Sequence, residues 1–263
     1  MNKKNRKPLV SIITVSYNSE KYIQDTLKSV INQSYDNIEY IIIDGGSTDN
    51  TLDIIRKYEP IFNGKLKWIS EADNGIYEAM NKGLNKTKGD IISFLNSDDI
   101  YAYDKVLKDV IEVFQQEKCD ACYGNIAMVK RDNLNKISRL WITNPNSYFS
   151  KPKFGWIPAH PSFFAKKNLY DKYNGFDTRF EIAADFDLIC RFVSKHNIKL
   201  SYLNKILIKM RIEGTSNNNL KSIIKGNKET FLSLKKNNVF PYFIFLKPFR
   251  KILQLLNAKF YEF

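Results

Sequence analysis

Two aspartates stand side by side at Asp98-Asp99, after the apolar run Ile91-Ile92-Ser93-Phe94-Leu95 and the pair Asn96-Ser97. Adjacent carboxylates repel each other and stay jointly ionised at neutral pH most readily with a cation close by. Hard divalent ions such as Mg²⁺ take oxygen ligands, commonly one or two carboxylates together with substrate phosphates. The same pair could instead open a helix beginning near Tyr103, because acids favour helix N-termini. Two other polar clusters also follow apolar runs: Ser16-Tyr17-Asn18 and Asp44-Gly45-Gly46-Ser47. An aspartate such as Asp44 can accept the imide N–H of a pyrimidine base, and Tyr17 offers a ring on which a base can stack. Gly45-Gly46 reads as a turn, with Ser47 and Asp49 as helix-capping residues.

Such clusters act together only if the elements before them end at one place. Residues 9–15, 38–43, 66–69 and 91–95 read as short strands, the first, second and fourth apolar enough to be buried on both faces. Between them lie helical patterns. The first has its apolar face at Ile23, Leu27, Val30 and Ile31, with Asn18 or Ser19 as its cap; the next carries Leu52, Ile54 and Ile55; the third spans 76–84. Strand alternating with helix predicts a mostly parallel sheet with right-handed crossovers, ligands gathering at the carboxyl ends of its strands. After Cys119 the pattern changes. Strands are expected at 121–129 and 138–142, joined by a polar turn at Asp132-Asn133, then a proline-framed loop over 144–158. A short strand at 161–165, a helix at 185–195 and one or two strands over 199–210 follow. This half is expected to lay antiparallel strands against the first. Asn217-Asn218-Asn219 reads as a hinge before a tail.

Composition limits the classes. With 43% hydrophobic and 14% aromatic residues in 263, the chain can bury a sizeable core, which excludes a disordered protein. Three cysteines give no disulfide framework, and Cys119-x-x-Cys122 sits in a strand pattern without a partner cluster, so a reduced core pair is expected. Net charge is +13, and residues 218–263 hold nine Lys/Arg against two Glu, or +7 of it. A basic tail calls for an anionic partner: nucleic acid, membrane headgroups or an acidic substrate. The N-terminus lacks the apolar core of a signal peptide, and no stretch reaches the ~20 apolar residues of a spanning helix. A cytoplasmic body is expected.

The order of motifs resembles the family 2 glycosyltransferases with the GT-A fold, in particular their bacterial surface-polysaccharide branch. The resemblance is carried by Val10 to Asn18 (VSIITVSYN), Ile43 to Thr51 (IDGGSTDNT), Ser70 to Gly83 (SEADNGIYEAMNKG) and Gly89-Asp90. It continues through Phe94 to Asp99 (FLNSDD), Ala159 to Phe164 (AHPSFF), Gly175-Phe176-Asp177 and Ala183 to Phe192 (AADFDLICRF). It runs in family order from about residue 9 to 216. It implies a domain over 1–216, with a nucleotide-sugar half at 8–118 and an acceptor half at 119–216, followed by a basic helical tail at 217–263. It also implies an inverting transferase that moves a sugar from a nucleotide-sugar donor, a UDP-sugar before GDP or dTDP, to an acceptor hydroxyl of a glycan, which could be lipid-linked.

Under this resemblance Thr14, Ser16, Tyr17, Asp44, Asp73 and Asp98 are expected at the nucleotide, and Asp98 and Asp99 at a Mn²⁺ or Mg²⁺ ion beside the diphosphate. Many relatives carry Asp where this chain has Asn96, which leaves the ion resting on Asp98 and Asp99. Asp185 matches the general base. Relatives often read Glu-Asp where this chain reads Ala184-Asp185, which makes Asp187 a second candidate. Without the resemblance, Asp185 and Asp187 could be ordinary helix-start acids. His160 and Trp156 fall where they could meet donor phosphate or acceptor sugar. Arg191, four residues after Asp187, could reach phosphate or simply pair with that acid.

In the tail, Phe249, Ile252, Leu253, Leu256 and Phe260 share one helical face opposite basic and polar residues. That pattern fits a helix lying on the inner membrane surface, or one packed on the body or on a second subunit. A competing reading, a basic protein that binds nucleic acid without catalysis, lacks any recognition motif. A dinucleotide oxidoreductase is weaker still, since no G-x-G-x-x-G stands at the first strand–helix turn.

Overall fold

The computed structural model describes residues 6–143, 145, 151–154, 156–212 and 220–241. Its centre is β1 (Val10–Ser16), all seven residues of which are buried. Side chains alternate across a strand, so both faces of β1 need cover. Val10 and Ile12 pack against Ile23 and Leu27 of α1 (Ile23–Ile31), Ile55 of α2 (Thr51–Tyr58) and Val106 and Val110 of α4 (Val106–Glu117). Ile13 and Val15 pack on the other side, with Met80 and Leu84 of α3 (Ile76–Lys86), Leu169 of α5 (Lys167–Tyr173) and Leu188 of α6 (Ala184–Cys190).

β1 pairs in parallel with β2 (Ile38–Asp44) on one side and β4 (Ile91–Phe94) on the other, and β2 pairs in parallel with β3 (Leu66–Ser70). The order β3-β2-β1-β4 puts a topological switch between β1 and β4. The chain leaves β1 toward β2 on one side and β4 toward the strands on the other, which opens a crevice at their carboxyl ends. Register aligns Ser16 with Asp44 and Asp44 with Ser70, so three polar strand ends form a row along that edge.

The second half continues the same sheet. β8 (Phe163–Lys166) lies antiparallel between β4 and β6 (Ala121–Lys130), and β7 (Asn133–Trp141) pairs antiparallel with β6. β9 (Leu200–Ile212), a single strand, runs parallel to β6, and the two-residue β5 (Ile100–Tyr101) pairs antiparallel with β9. The antiparallel half expected from sequence is therefore mixed, α5 is an addition to it, and β5 is an unexpected strand contributed by the first half.

Three expectations are corrected. Asp98-Asp99 does not open a helix: β5 follows directly, and α4 begins at Val106. Neither Asn18 nor Ser19 caps α1 by its side chain; α1 begins after Tyr22, whose N–H and that of Ile23 donate to the Ser19 carbonyl. Asn18 instead adopts φ 47° and laces two strand ends together, accepting from Thr48 N and donating its own N–H to Ser47 Oγ. The β6–β7 turn falls one residue early, at Arg131-Asp132.

Cys119, Cys122 and Cys190 are free and buried, and burial pushes each thiol up. α7 (Leu220–Lys236) packs on α6 and buries Ser233 and Leu234 completely. The expected hinge at 217–219 and the amphipathic stripe at 249–260 lie outside the described residues. Among the described residues, no helix is long and apolar enough to cross a membrane.

Candidate active site

At the β1/β4 switch lies a cavity of about 460 Å³, walled by Val15, Ser16, Tyr17 and Ser19 after β1, Asn96, Ser97 and Asp98 after β4, and Asp73, Gly75, Ile76 and Ala79 at the start of α3. Ser19 and Ser97 tie the two strand ends together through a 2.8 Å hydroxyl–hydroxyl hydrogen bond. Tyr17 is 65% exposed, so its ring is available for stacking. Asp73 accepts the Gly75 N–H at Oδ1, which shapes the turn into α3. Ser16, Tyr17, Asp73 and Asp98, all expected at the nucleotide, therefore do converge.

Thr14 and Asp44 do not reach this cavity. Thr14 faces the α1 side of the sheet, fully buried, with Oγ1 2.9 Å from the Tyr40 hydroxyl. Asp44 is also fully buried, and five protein donors saturate it: Ser16 and Ser47 hydroxyls at Oδ1, and Gly46 N, Ser47 N and the Ser70 hydroxyl at Oδ2. A carboxylate offers about four lone-pair sites, so no acceptor is left for a base N–H. Asp44 knits the ends of β1, β2 and β3 into one rim, and Gly46 makes the tight turn around it at φ 83°.

The acidic pair divides. Asp98 is partly exposed on the cavity wall, with the Arg131 guanidinium 4.0 Å away. Asp99 has no exposed surface; it accepts Asn96 Nδ2 at Oδ2 and the Arg211 N–H at Oδ1. Burial first, and the neighbouring Asp98 charge second, push Asp99 well above the ordinary carboxylate range. Sequence reasoning missed Arg211, at the end of β9. Its guanidinium donates to the Asp98 and Arg131 carbonyls and pairs with Asp25, anchoring the acidic turn to α1. Only the packed strand order brings a residue this far along the chain to Asp98.

These positions admit one protein carboxylate, Asp98, as a ligand for a divalent ion beside a diphosphate; Asp99 is turned inward. That matches the sparse protein coordination usual for Mg²⁺ with substrate phosphates. Among the described residues, no three His, Cys, Asp or Glu side chains converge as a metal cluster.

Asp185 lies in the first turn of α6, partly buried. Burial raises its pKa above the usual 3.8, opposed by hydrogen bonds from the Phe186 N–H and the Tyr77 hydroxyl. Tyr77 sits on α3 between the cavity residues Ile76 and Ala79. Its oxygen is 3.3 Å from Asp185 Oδ1 and 2.8 Å from the Ile182 carbonyl, so the base candidate adjoins the α3 wall of the cavity. Tyr77 was within reach of sequence reading only as part of the NGIYEAM segment, where nothing marks it among fifteen tyrosines. Burial, and then the Asp185 charge, push its hydroxyl up.

Asp187 is corrected as a second base. It is fully buried and accepts from Arg191, Ser233, Lys236 and Asn237, which makes it the pin between α6 and α7. Arg191 is equally committed, pairing with Asp187 at 3.3 Å and donating to the Asn174 and Gly175 carbonyls, so it does not serve phosphate. Trp156 is 5% exposed against the edge of Tyr123, a core residue rather than a sugar platform. His160 packs between Phe94 and Phe176 with Nε2 unpartnered among the described residues, and burial lowers its pKa to about 4, so the ring is neutral at physiological pH.

A family model described as Glycosyl transferase family 2 matches residues 11–174. The putative teichuronic acid biosynthesis glycosyltransferase TuaG of Bacillus subtilis is 39% identical over 128 residues, 49% of this chain and 50% of that protein. This chain thus spans half the length of that relative. The uncharacterized glycosyltransferase Rv1514c of Mycobacterium tuberculosis is 34% identical over 189 residues, 70% of this chain and 68% of that one. Among solved structures, S. aureus TarS 1–349 in complex with UDP-GlcNAc aligns with a TM-score of 0.62 and 20% identity over 86% of this chain and 66% of that one. The mannosyltransferase PcManGT from Pyrobaculum calidifontis, in complex with GDP-Man and Mn²⁺, aligns with a TM-score of 0.67 and 16% identity over 97% of this chain and 74% of that one. Identities this low establish the fold alone, that of the GT-A transferases. The family match extends over more than half of the chain, which therefore belongs to glycosyl transferase family 2.

Proposed function

We propose that this chain is an inverting glycosyltransferase that uses a nucleotide-diphosphate sugar, a UDP-sugar foremost, in building a bacterial surface polysaccharide. The observation that carries the reading is the cavity at the β1/β4 switch, with Tyr17, Asp73 and Asp98 on its walls and Asp185 linked to it through Tyr77. The base would stack on Tyr17, and Asp73 would meet the nucleoside from the α3 side. Names among the relatives support the polymer class: teichuronic acid for TuaG, and UDP-GlcNAc in complex with TarS.

Inversion in one displacement needs a carboxylate on the acceptor side of the sugar. Asp185 takes the proton of the acceptor hydroxyl as its oxygen bonds to C1. The C1–O bond to the diphosphate breaks in the same step, and its electron pair leaves with the nucleoside diphosphate. The raised proton affinity of Asp185 suits this, because a base works best with a pKa nearer the working pH. A divalent cation, Mn²⁺ or Mg²⁺, held at Asp98 would supply charge that offsets the departing diphosphate. Asp44, Asp99 and Arg211 hold the rim on which Tyr17 and Asp98 stand. The acceptor, lipid-linked or free, and any contact of the basic tail with a membrane surface or a second subunit belong to the same proposal.

Thermal unfolding against a panel of nucleotides and nucleotide sugars, with and without Mn²⁺, tests it. At 100-fold excess over Kd, a ligand of the folded state stabilises by about 2.7 kcal/mol. UDP and a UDP-sugar are expected to raise the midpoint, more so with Mn²⁺. No shift with any nucleotide, together with salt-sensitive binding of DNA or RNA, would overturn the proposal.

A further inference from the structure

Segment 181–183, just before α6, has to be held for Asp185 to stay in place, and the residues there cannot hold it themselves. The first N–H groups of a helix lack intrahelical partners. The residue before α6 is Ala183, which has no side-chain acceptor, and no side-chain cap bond is made there. The segment leading into the helix is held instead from 46 residues further on, by Glu229 of α7, 7% exposed. Its Oε2 accepts the N–H of Ile182 at 2.8 Å and of Ala183 at 2.9 Å, and its Oε1 that of Glu181 at 3.2 Å. The same segment is gripped from the other side by Tyr77, whose hydroxyl contacts the Ile182 carbonyl and Asp185. The Glu229 charge is also among those that push the Tyr77 hydroxyl up. One turn further along α6, Asp187 receives Ser233 and Lys236 from α7 and Asn237 just beyond it.

We propose that Glu229 is a positioning residue for Asp185. Through three backbone N–H groups it sets the start of α6, and so the place from which the carboxylate meets an acceptor hydroxyl. α7, the beginning of the basic tail, thereby becomes part of the transferase. The inference rests on the reading of Asp185 as the base.

The test compares Glu229→Gln, Glu229→Asp and Asp185→Asn in the full chain. It measures kcat for transfer, or for hydrolysis of a UDP-sugar if no acceptor is in hand, and the Kd for UDP. Glu229→Gln keeps the shape but turns an NH₂ group toward the backbone donors. It is expected to lower kcat 10- to 100-fold while the Kd for UDP stays within twofold. Glu229→Asp keeps the charge on a shorter arm and is expected to fall between it and the wild type, and it carries the test if Glu229→Gln does not fold. Lys225→Ala, which removes only an exposed pair with Glu181, should change nothing. A kcat within twofold of wild type in the Glu229 variants, with Asp185→Asn inactive, overturns the positioning role and leaves the base reading intact. Weakening of UDP binding in step with kcat also overturns it, by showing a general collapse. An active Asp185→Asn overturns both.

Discussion

Asp185 and Tyr77 form a pair whose titration can be followed. Burial holds the Asp185 pKa above 3.8, and the Tyr77 hydrogen bond partly opposes this. A general base works only when deprotonated, so kcat should rise with pH through a midpoint above the ordinary carboxylate range. Tyr77→Phe removes a donor that favours the charged form, so the acid limb should move to higher pH. A kcat–pH profile at saturating donor checks both, and a limb that stays put in Tyr77→Phe contradicts the pairing. At this scale the sequence was informative about which residue types matter, less so about where they point. Asp98 lines the cavity, and Asp185 adjoins its α3 wall through Tyr77. Asp44, Asp99 and Asp187 turn inward, each saturated or held by donors from elsewhere in the chain. Whether an aspartate faces solvent or core depends on serines and backbone N–H groups that only the packed sheet assembles around it.

Helix α3 shows what the elements must do to place these groups. It carries Ile76 and Ala79 of the cavity wall and Tyr77 beside Asp185, and it lies close on β1 and β2 at Gly83. A Cβ there would stand 2.5 Å from Ile13 Cγ2 and 3.2 Å from Ile43 Cγ1. Gly83→Ala should therefore push α3 outward and cost about 1–3 kcal/mol, as overpacking does. Chemical denaturation measures the loss, and an unchanged midpoint would show that α3 is free to shift. The strands were legible because runs such as Ile41-Ile42-Ile43 bury both faces, and α1 to α3 because of their helical patterns between strands. The two-residue β5 was not, since it pairs as a strand with distant β9. The cap of α1 was misread because Asn18 is recruited across the rim to Thr48.

Across the whole molecule, one mixed sheet joins the two halves of the chain, and the switch between β1 and β4 fixes where a ligand can sit. The parallel half, with ligands at the carboxyl ends of its strands, followed from alternation of strand and helix; the strand order and the continuous mixed sheet did not. The role of α7 was not legible either, because its lysines counted toward a basic tail, while Glu229 and Ser233, with Asn237 just beyond the helix, point inward to α6. The central claim joins the nucleotide cavity to a single base at its edge. Kinetics of Asp185→Asn beside its Kd for UDP test that claim most directly. The account predicts kcat reduced 10²- to 10⁴-fold, the usual worth of a general base, with UDP affinity unchanged. Turnover near that of the wild type would contradict it.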